Sequence, residues 1–447
     1  MTPAQAAFDA VTRLLPALRE NKKRETARLV YEICKRDGLA PQAVLDSLRG
    51  LKFQRLKAAL LKKRYPSLYG RVPAAAYYLP GLDLSEPRAP YQPGAMPHEF
   101  RPKLIYIEKT ACETPLAGRA KLLYPNAGLV EIDTVSEFVK TGGLAGADYN
   151  ARHERLLLFK ERYDFIKPCP CTKNCVCCGY NVLNLGFGCV FDCEYCFLQE
   201  YQNFPAVALP CNVEDFLDKI PSAALSRGMF KTARLGTGEF TDSLVFDHLT
   251  GWAKTIARRF EDFKSVTFEF KTKSVNCGAF FEMRPVENIV ISWSLNPSGT
   301  ECEHFAAAVA QRIKTAAELA KLGWRVGFHF DPMILYPGWQ NGYKETAAEM
   351  LSLVRPDRIA WISAGTLRFR PPLKKTIEAR FPANTILDSE LIQGFDGKMR
   401  YSDSARADAY RTLKKQIDLS GGEKIPFYLC MENAAMWSLC GLTPAAG

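Results

Sequence analysis

Histidine is scarce in this sequence, with five in 447 residues. A zinc site would therefore have few imidazoles to draw on and would lean on thiolates. Long apolar runs are missing too. No stretch of about 18 apolar residues suggests a membrane-spanning helix. The first residues, MTPAQAAFDAVTRLL, lack the basic-then-apolar order of a secretory signal and read as an amphipathic helix. Negative charge is sparse in residues 1–72, which hold six Asp/Glu against sixteen Lys/Arg. That segment carries +10 of the chain's +11, so the remainder is close to neutral. A basic module of this kind points to a polyanionic partner, nucleic acid first. A solvated helical face is the plainer alternative.

Cysteine, by contrast, is abundant. Fifteen are present, and eight bunch between Cys169 and Cys196. Bunching fits metal binding in a reducing cytoplasm better than a secreted disulfide framework. The overall composition, 47% hydrophobic and 24% charged, is that of a globular protein long enough for two or three domains.

The pattern along the chain divides it into five parts. Residues 1–72 read as a basic helical module of four helices, the first started by Thr2-Pro3 and the third by Pro41. Residues 73–100 are a Pro-rich linker, and 101–166 a small α/β unit with strands in PKLIYIEKTA and GLVEIDTV. Between 167 and 370, six strands alternate with helices: 181–188, 232–240, 265–272, 288–296, 325–335 and 358–367. Apolar strands in β/α alternation predict an α/β fold with a parallel sheet curled into a partial (β/α)6 barrel. Residues 371–447 are left as a C-terminal, substrate-facing region.

After the first of those strands comes GCVFDCEYCFLQEYQN, with Cys189, Cys193 and Cys196 spaced C-x3-C-x2-C. Three thiolates can hold three irons of a [4Fe–4S] cluster and leave the fourth open. Active sites of β/α barrels lie at the C-terminal strand ends, which is where this loop falls. Upstream, KPCPCTKNCVCCGY packs Cys169, Cys171, Cys175, Cys177 and Cys178 into ten residues. They are candidates for a second iron–sulfur cluster, for zinc, or for plain reduced thiols.

The C-x3-C-x2-C loop, with Tyr195 before its last cysteine, resembles the signature of radical S-adenosylmethionine (SAM) enzymes. RPKLIYIEKTACETPLAG, CEYCFLQEYQNFP, FTDSLVFDHLT, KTKS, SWSLNP, GFHFDPMILYPGW, ISAGTLRF and DGKMRY resemble the spore photoproduct lyase family over about residues 98–437. The basic module lies outside that resemblance. It implies one [4Fe–4S] cluster on Cys189, Cys193 and Cys196, with SAM on the open iron, cleaved to a 5′-deoxyadenosyl radical. It implies SAM contacts at Tyr195, Gly236, Gly238, Thr241, Lys273 and Ser294, and DNA contacts at Arg400 and Tyr401. A reductant such as flavodoxin or ferredoxin and a cytoplasmic location are implied with them.

Two positions depart from the family. Glu239 stands where the lyase has its hydrogen-donating cysteine, and Phe197 where it has a tyrosine. A carboxylate does not return a hydrogen atom as a thiol does, and Phe has no O–H. Glu239 and Cys277 are therefore the catalytic candidates, Cys277 as a substitute donor. The leading expectation is lyase or repair chemistry on DNA. The alternatives are radical modification of RNA or protein, and an iron–sulfur protein that only binds nucleic acid.

Overall fold

The computed structural model describes residues 2–85, 100–144, 148–202, 204–223, 225, 228–230 and 232–444. Most of the linker expected at 73–100, namely 86–99, lies outside the described residues. The chain packs as two compact units that interleave in sequence. One comprises residues 1–92, 335–337 and 367–406, and the other the rest.

In the first unit the basic segment folds into α1 (Pro3–Leu14), α2 (Glu20–Asp37), α3 (Pro41–Asp46) and α4 (Phe53–Arg64). Thr2 caps α1 by accepting the Gln5 N–H at 3.0 Å, and Gly38 ends α2 in the left-handed region (φ 66°) that favours glycine. Val11, Leu29, Val30, Ile33, Leu45, Leu56 and Leu60 form the core of this bundle. The charge is not all solvent-facing, as a basic surface module would have it. Arg28 and Arg64 are buried around Glu32, which also takes Lys374 from the far segment of the same unit. Arg19, Lys22, Lys52 and Arg55 remain exposed. A small antiparallel sheet of Arg368–Phe369, Ile392–Gln393 and Met399–Arg400 completes the unit.

The second unit holds two sheets. Strands β1 (Leu104–Glu108), β2 (Gly128–Ile132) and β3 (Arg155–Phe159) belong to the smaller one. Next come β4 (Ile166–Pro168), β5 (Tyr180–Leu183), the two-residue β6 (Asp192–Cys193) and β7 (Val207–Pro210). Then follow β8 (Ala233–Gly236), β9 (Val266–Thr272), β10 (Ile289–Ser294), β11 (Glu303–His304), β12 (Arg325–Met333) and β13 (Ile359–Thr366).

The small α/β unit expected at 101–166 is instead part of a four-stranded parallel sheet, order β2-β1-β3-β7. Its last strand arrives from beyond the cysteine loop. Ile105–Glu108 are buried without a break, because strands inside a parallel sheet are covered on both faces.

The larger sheet contains all six expected strands, β5, β8, β9, β10, β12 and β13, in parallel order. Two more flank them: antiparallel β4 beside β5, and a seventh parallel strand, Phe427–Leu429, beside β13. Gly236 belongs to the packing of this sheet, since a Cβ there would stand 2.2 Å from the Tyr180 hydroxyl. No described helix is long and apolar enough to cross a membrane.

Candidate active site

The cysteine loop leaves the end of β5 and is fixed at both its ends. Cys193 sits in β6, paired antiparallel with Glu303 of β11. The Cys196 N–H donates to the Cys193 carbonyl at 3.0 Å. Arg152, fully buried, donates Nε to the Cys189 carbonyl at 2.7 Å and Nη1 to the Tyr149 carbonyl at 3.0 Å. Its Nη2 pairs with Asp192, whose other oxygen meets His153 Nε2 at 2.9 Å. Neither Arg152 nor His153 belongs to a motif legible in the sequence.

Burial pushes the Cys189 thiol up to about 12, with Asp242 adding to the effect. Cys193 and Cys196 are raised by burial too, while Lys273 pulls both the other way. Thiolates in this setting need a cationic partner, which iron supplies. Among the described residues no three His, Cys, Asp or Glu side chains converge on a point for a single ion.

The strand ends beside the loop bring most of the expected SAM residues together. Lys273 follows β9, and its ammonium lies 3.9 Å from Glu303 Oε1 and 5.7 Å from the Tyr195 ring centroid. The Tyr195 hydroxyl donates to Glu303. Arg312 Nη1 reaches Glu303 Oε2 at 2.7 Å, and Asn296 Nδ2 reaches Oε1 at 3.0 Å. Burial alone would raise this carboxyl, but Lys273 and Arg312 hold it down at about 2. Glu303 thus organises two of the expected contacts, and it was missed because only the β6–β11 pairing brings it here. Ser294 is buried at the end of β10. Thr241 Oγ1 is buried with no hydrogen-bond partner among the described residues, an arrangement that costs free energy unless a ligand satisfies it. This orphaned hydroxyl and the clustered thiols fit a cluster and SAM. At Gly238 a Cβ would touch Lys271 Cβ at an ordinary 3.5 Å, so the space alone does not demand glycine there.

A family model described as spore photoproduct lyase matches residues 100–417. The chain belongs to the spore photoproduct lyase family. It is 24% identical over 306 residues to the spore photoproduct lyase of Bacillus subtilis (strain 168), covering 66% of this chain and 87% of that one. It is 23% identical over 337 residues to the enzyme of Geobacillus sp. (strain Y412MC61), covering 71% and 95%. Among solved structures, a spore photoproduct lyase complexed with dinucleoside spore photoproduct superposes with TM-score 0.60 at 22% identity. That match covers 74% of this chain and 98% of the other. A variant of the lyase with bound AdoMet and dinucleoside spore photoproduct gives 0.61 at 21%, covering 75% and 99%. The α/β half-barrel is therefore the family fold.

The two positions expected to depart from the family lie near each other, for Phe197 meets Phe240, the neighbour of Glu239, with centroids 6.2 Å apart. Glu239 is half-buried, and its Oε2 lies 3.4 Å from Lys167. Burial raises its carboxyl and Lys167 opposes that. Phe197 is exposed next to the last cluster cysteine. Cys277 is not beside them at the surface. It is 1% exposed at the start of the short helix Gly278–Phe281, raised by burial, with Asp242 and Asp247 nearby. Its enclosure favours a packing role over hydrogen delivery.

Arg400 and Tyr401 are enclosed, not projecting. Arg400 grips Asp396 through Nε at 2.9 Å and Nη2 at 2.6 Å. Tyr401 Oη accepts the Leu335 N–H at 3.0 Å. What protrudes from their hairpin is Phe395, 50% exposed, its ring 5.2 Å from the Arg400 guanidinium.

The upstream cysteines gather an unexpected member. Cys169 Sγ lies 3.8 Å from Cys171 Sγ, and Cys171, Cys430 and Cys178 all raise the Cys169 thiol. Cys430 directly follows the seventh parallel strand. Val176 N–H donates to the Glu432 carbonyl at 2.9 Å, and Cys175 bridges to Asn433. The segment 169–178 thus lies against the strand at the opposite edge of the sheet. Cys177 is exposed.

Inside the barrel, Glu269 on β9 is the hub of a buried network. It meets His329 Nε2 at 2.6 Å, Ser292 Oγ at 2.7 Å, Trp361 Nε1 at 3.1 Å and Arg234 Nη2 at 2.9 Å. Arg234 already balances the carboxylate, so the His329 ring stays neutral, donates to Glu269 and accepts from Ser363 at 2.6 Å. Burial, followed by Lys271, lowers His329 to about 4 from 6.5. The unfolded ring therefore takes up a proton between pH 6.5 and 4 while the folded ring does not. This stabilisation is complete above pH 6.5 and is lost as the pH falls towards 4, on the order of 3 kcal/mol. Chemical denaturation of wild type and His329→Gln across that window checks it. The acid slope is expected to be shallower in the variant.

Proposed function

We propose that this protein is a radical SAM lyase that acts on DNA, of the kind its family name describes. The observation that carries the reading is the meeting of Cys189, Cys193 and Cys196 with Tyr195, Thr241, Lys273 and Ser294 at the C-terminal ends of neighbouring barrel strands. When bound, a [4Fe–4S] cluster on the three cysteines would supply the electron that cleaves SAM to a 5′-deoxyadenosyl radical.

The chain's own part is to bind, orient and exclude water. Lys273 suits the SAM carboxylate, and its ion pair with Glu303 holds the ammonium in place. The Thr241 and Ser294 hydroxyls suit the polar groups of SAM, with Gly236 and Gly238 shaping the β8 tip. In the first unit, Arg19, Lys22, Lys52 and Arg55 offer exposed charge to phosphates. Arg400 then acts beneath Phe395, steadying an exposed ring suited to stacking on or wedging between bases. A cytoplasmic setting with a low-potential electron donor of the flavodoxin or ferredoxin class completes the reading.

Glu239 and Phe197 favour a second reading, in which the radical modifies another substrate instead of reversing a dimer. With neither thiol nor tyrosine there, hydrogen return differs from the family's relay. The upstream thiols are proposed as a second metal centre, an iron–sulfur cluster in which each thiolate would take its own iron, with Cys430 joining Cys169, Cys171 and Cys178.

Anaerobic reconstitution tests these together. About four irons per chain indicates one cluster and about eight indicates two. SAM cleavage with repair of DNA carrying the spore dimer, at less than one 5′-deoxyadenosine per repaired lesion, supports the lyase. Stoichiometric 5′-deoxyadenosine without repair supports modification, and no cleavage under any reductant sinks both.

A further inference from the structure

A column of aromatic rings stands beside the cysteine loop and has no part in holding cluster or SAM. Phe187, in the loop after β5, stacks on Phe240 with centroids 5.3 Å and planes 25° apart. Phe240 stacks in turn on Tyr201, at 5.4 Å and 14°. Phe240 is buried within the column, whereas the terminal ring, Tyr201, is 61% exposed. Phe197 meets Tyr201 edge-on at 6.0 Å.

The placement is specific. Tyr201 ends the single-turn helix Leu198–Tyr201, which starts two residues after Cys196. Phe240 follows Glu239 at the β8 tip, so the column joins the cluster loop to the strand end opposite it. Lys167 stands 4.1 Å from the Phe240 centroid, with Glu239 at 3.4 Å and Asp164 at 3.9 Å from its ammonium.

Stacked rings prefer centroid separations of about 4.5–7 Å, and this column keeps that spacing up to its bare end. Another planar ring laid on Tyr201 would continue it. The open face of Tyr201 suits a flat heterocycle, and because the Lys167 charge is already paired with Glu239 and Asp164, recognition there rests on stacking. Nucleobases meet that description, because every base offers a π face.

We propose that the exposed face of Tyr201 is a stacking subsite for one base of the nucleic-acid substrate, holding the strand beside the radical site. This rests on the nucleic-acid reading above. The plainer role, a tyrosine that merely covers Phe240, would be filled equally well by leucine.

The test uses the full chain and a single-stranded oligonucleotide carrying 2-aminopurine, whose fluorescence is quenched by stacking. Wild type and Tyr201→Phe are expected to bind and quench alike. Tyr201→Leu is expected to bind about 5- to 100-fold more weakly and to quench little. If Tyr201→Leu binds and quenches as wild type does, or if Tyr201→Phe loses as much as Tyr201→Leu, the subsite is overturned while the nucleic-acid reading stands. If wild type binds no oligonucleotide, both fall. Should Tyr201→Leu fail to fold, Tyr201→Trp replaces it. Its larger ring is expected to bind at least as tightly as wild type, and weaker binding overturns the assignment.

Discussion

Cys193→Ala is expected to reduce SAM cleavage to background and to collapse the iron content of the cysteine loop. Of the three loop thiols Cys193 is the most buried, held in β6 against Glu303 and drawn down by Lys273. Without it the cluster loses one iron's protein ligand, and the two histidines beside the loop, His153 and His304, are already bonded to Asp192 and Glu194. The fold is expected to survive, since alanine fills most of the space and the β6–β11 pairing is a backbone pairing. Iron and sulfide assays, with far-ultraviolet circular dichroism as the control, separate loss of the centre from loss of structure. Cys277→Ser is the matched comparison and is expected to retain the cluster and SAM cleavage. Full cleavage in Cys193→Ala would remove the loop from the chemistry.

The second large effect is on stability. Glu32→Ala is expected to destabilise the first unit by about 3–5 kcal/mol. Glu32 Oε1 takes Arg28 Nε at 2.6 Å and Lys374 Nζ at 2.6 Å, and Oε2 takes Arg64 Nε at 2.8 Å. All four side chains are buried. Arg28 would keep Glu378, but Arg64 and Lys374 would be left as buried cations without a carboxylate. Burial already lowers Lys374 to about 8, so shedding its proton is the cheapest relief. Lys374→Met is expected to cost less, because Glu32 keeps two guanidiniums and loses a cation that burial penalises. Urea titration of both variants decides the point, and a loss under about 1 kcal/mol for Glu32→Ala would count against the hub.

Much of the fold was readable because its signals are local. Six strands of the barrel announced themselves as apolar runs between helices, and the three-cysteine spacing is a short-range pattern. The misses share a different character. Strand Phe427–Leu429 is three residues long, too short for any periodicity to show. Strand β7 lies far in sequence from the sheet it joins. Glu303 and Arg152 carry no motif, yet they fix Tyr195, Lys273 and the Cys189 backbone. Cys430 reaches the upstream thiols only because the last strand closes beside β13. Net charge misled in the other direction: composition counts Arg28 and Arg64 as surface positives, whereas both are enclosed with Glu32. Arg400 and Tyr401 were expected as DNA contacts, but both are enclosed and the ring that protrudes from their hairpin is Phe395.

The interleaving of the two units has a consequence for synthesis. Glu32 leaves the ribosome 342 residues before Lys374. At translation rates of about 5–20 residues per second, that gap lasts roughly 17–70 s. Throughout it, α2 and α4 hold Arg28 and Arg64 without the segment that encloses them, and Cys169 likewise waits for Cys430. The N-terminal helices are therefore not a detachable cassette. Both units can close only near the end of translation, because each includes a segment beyond residue 366.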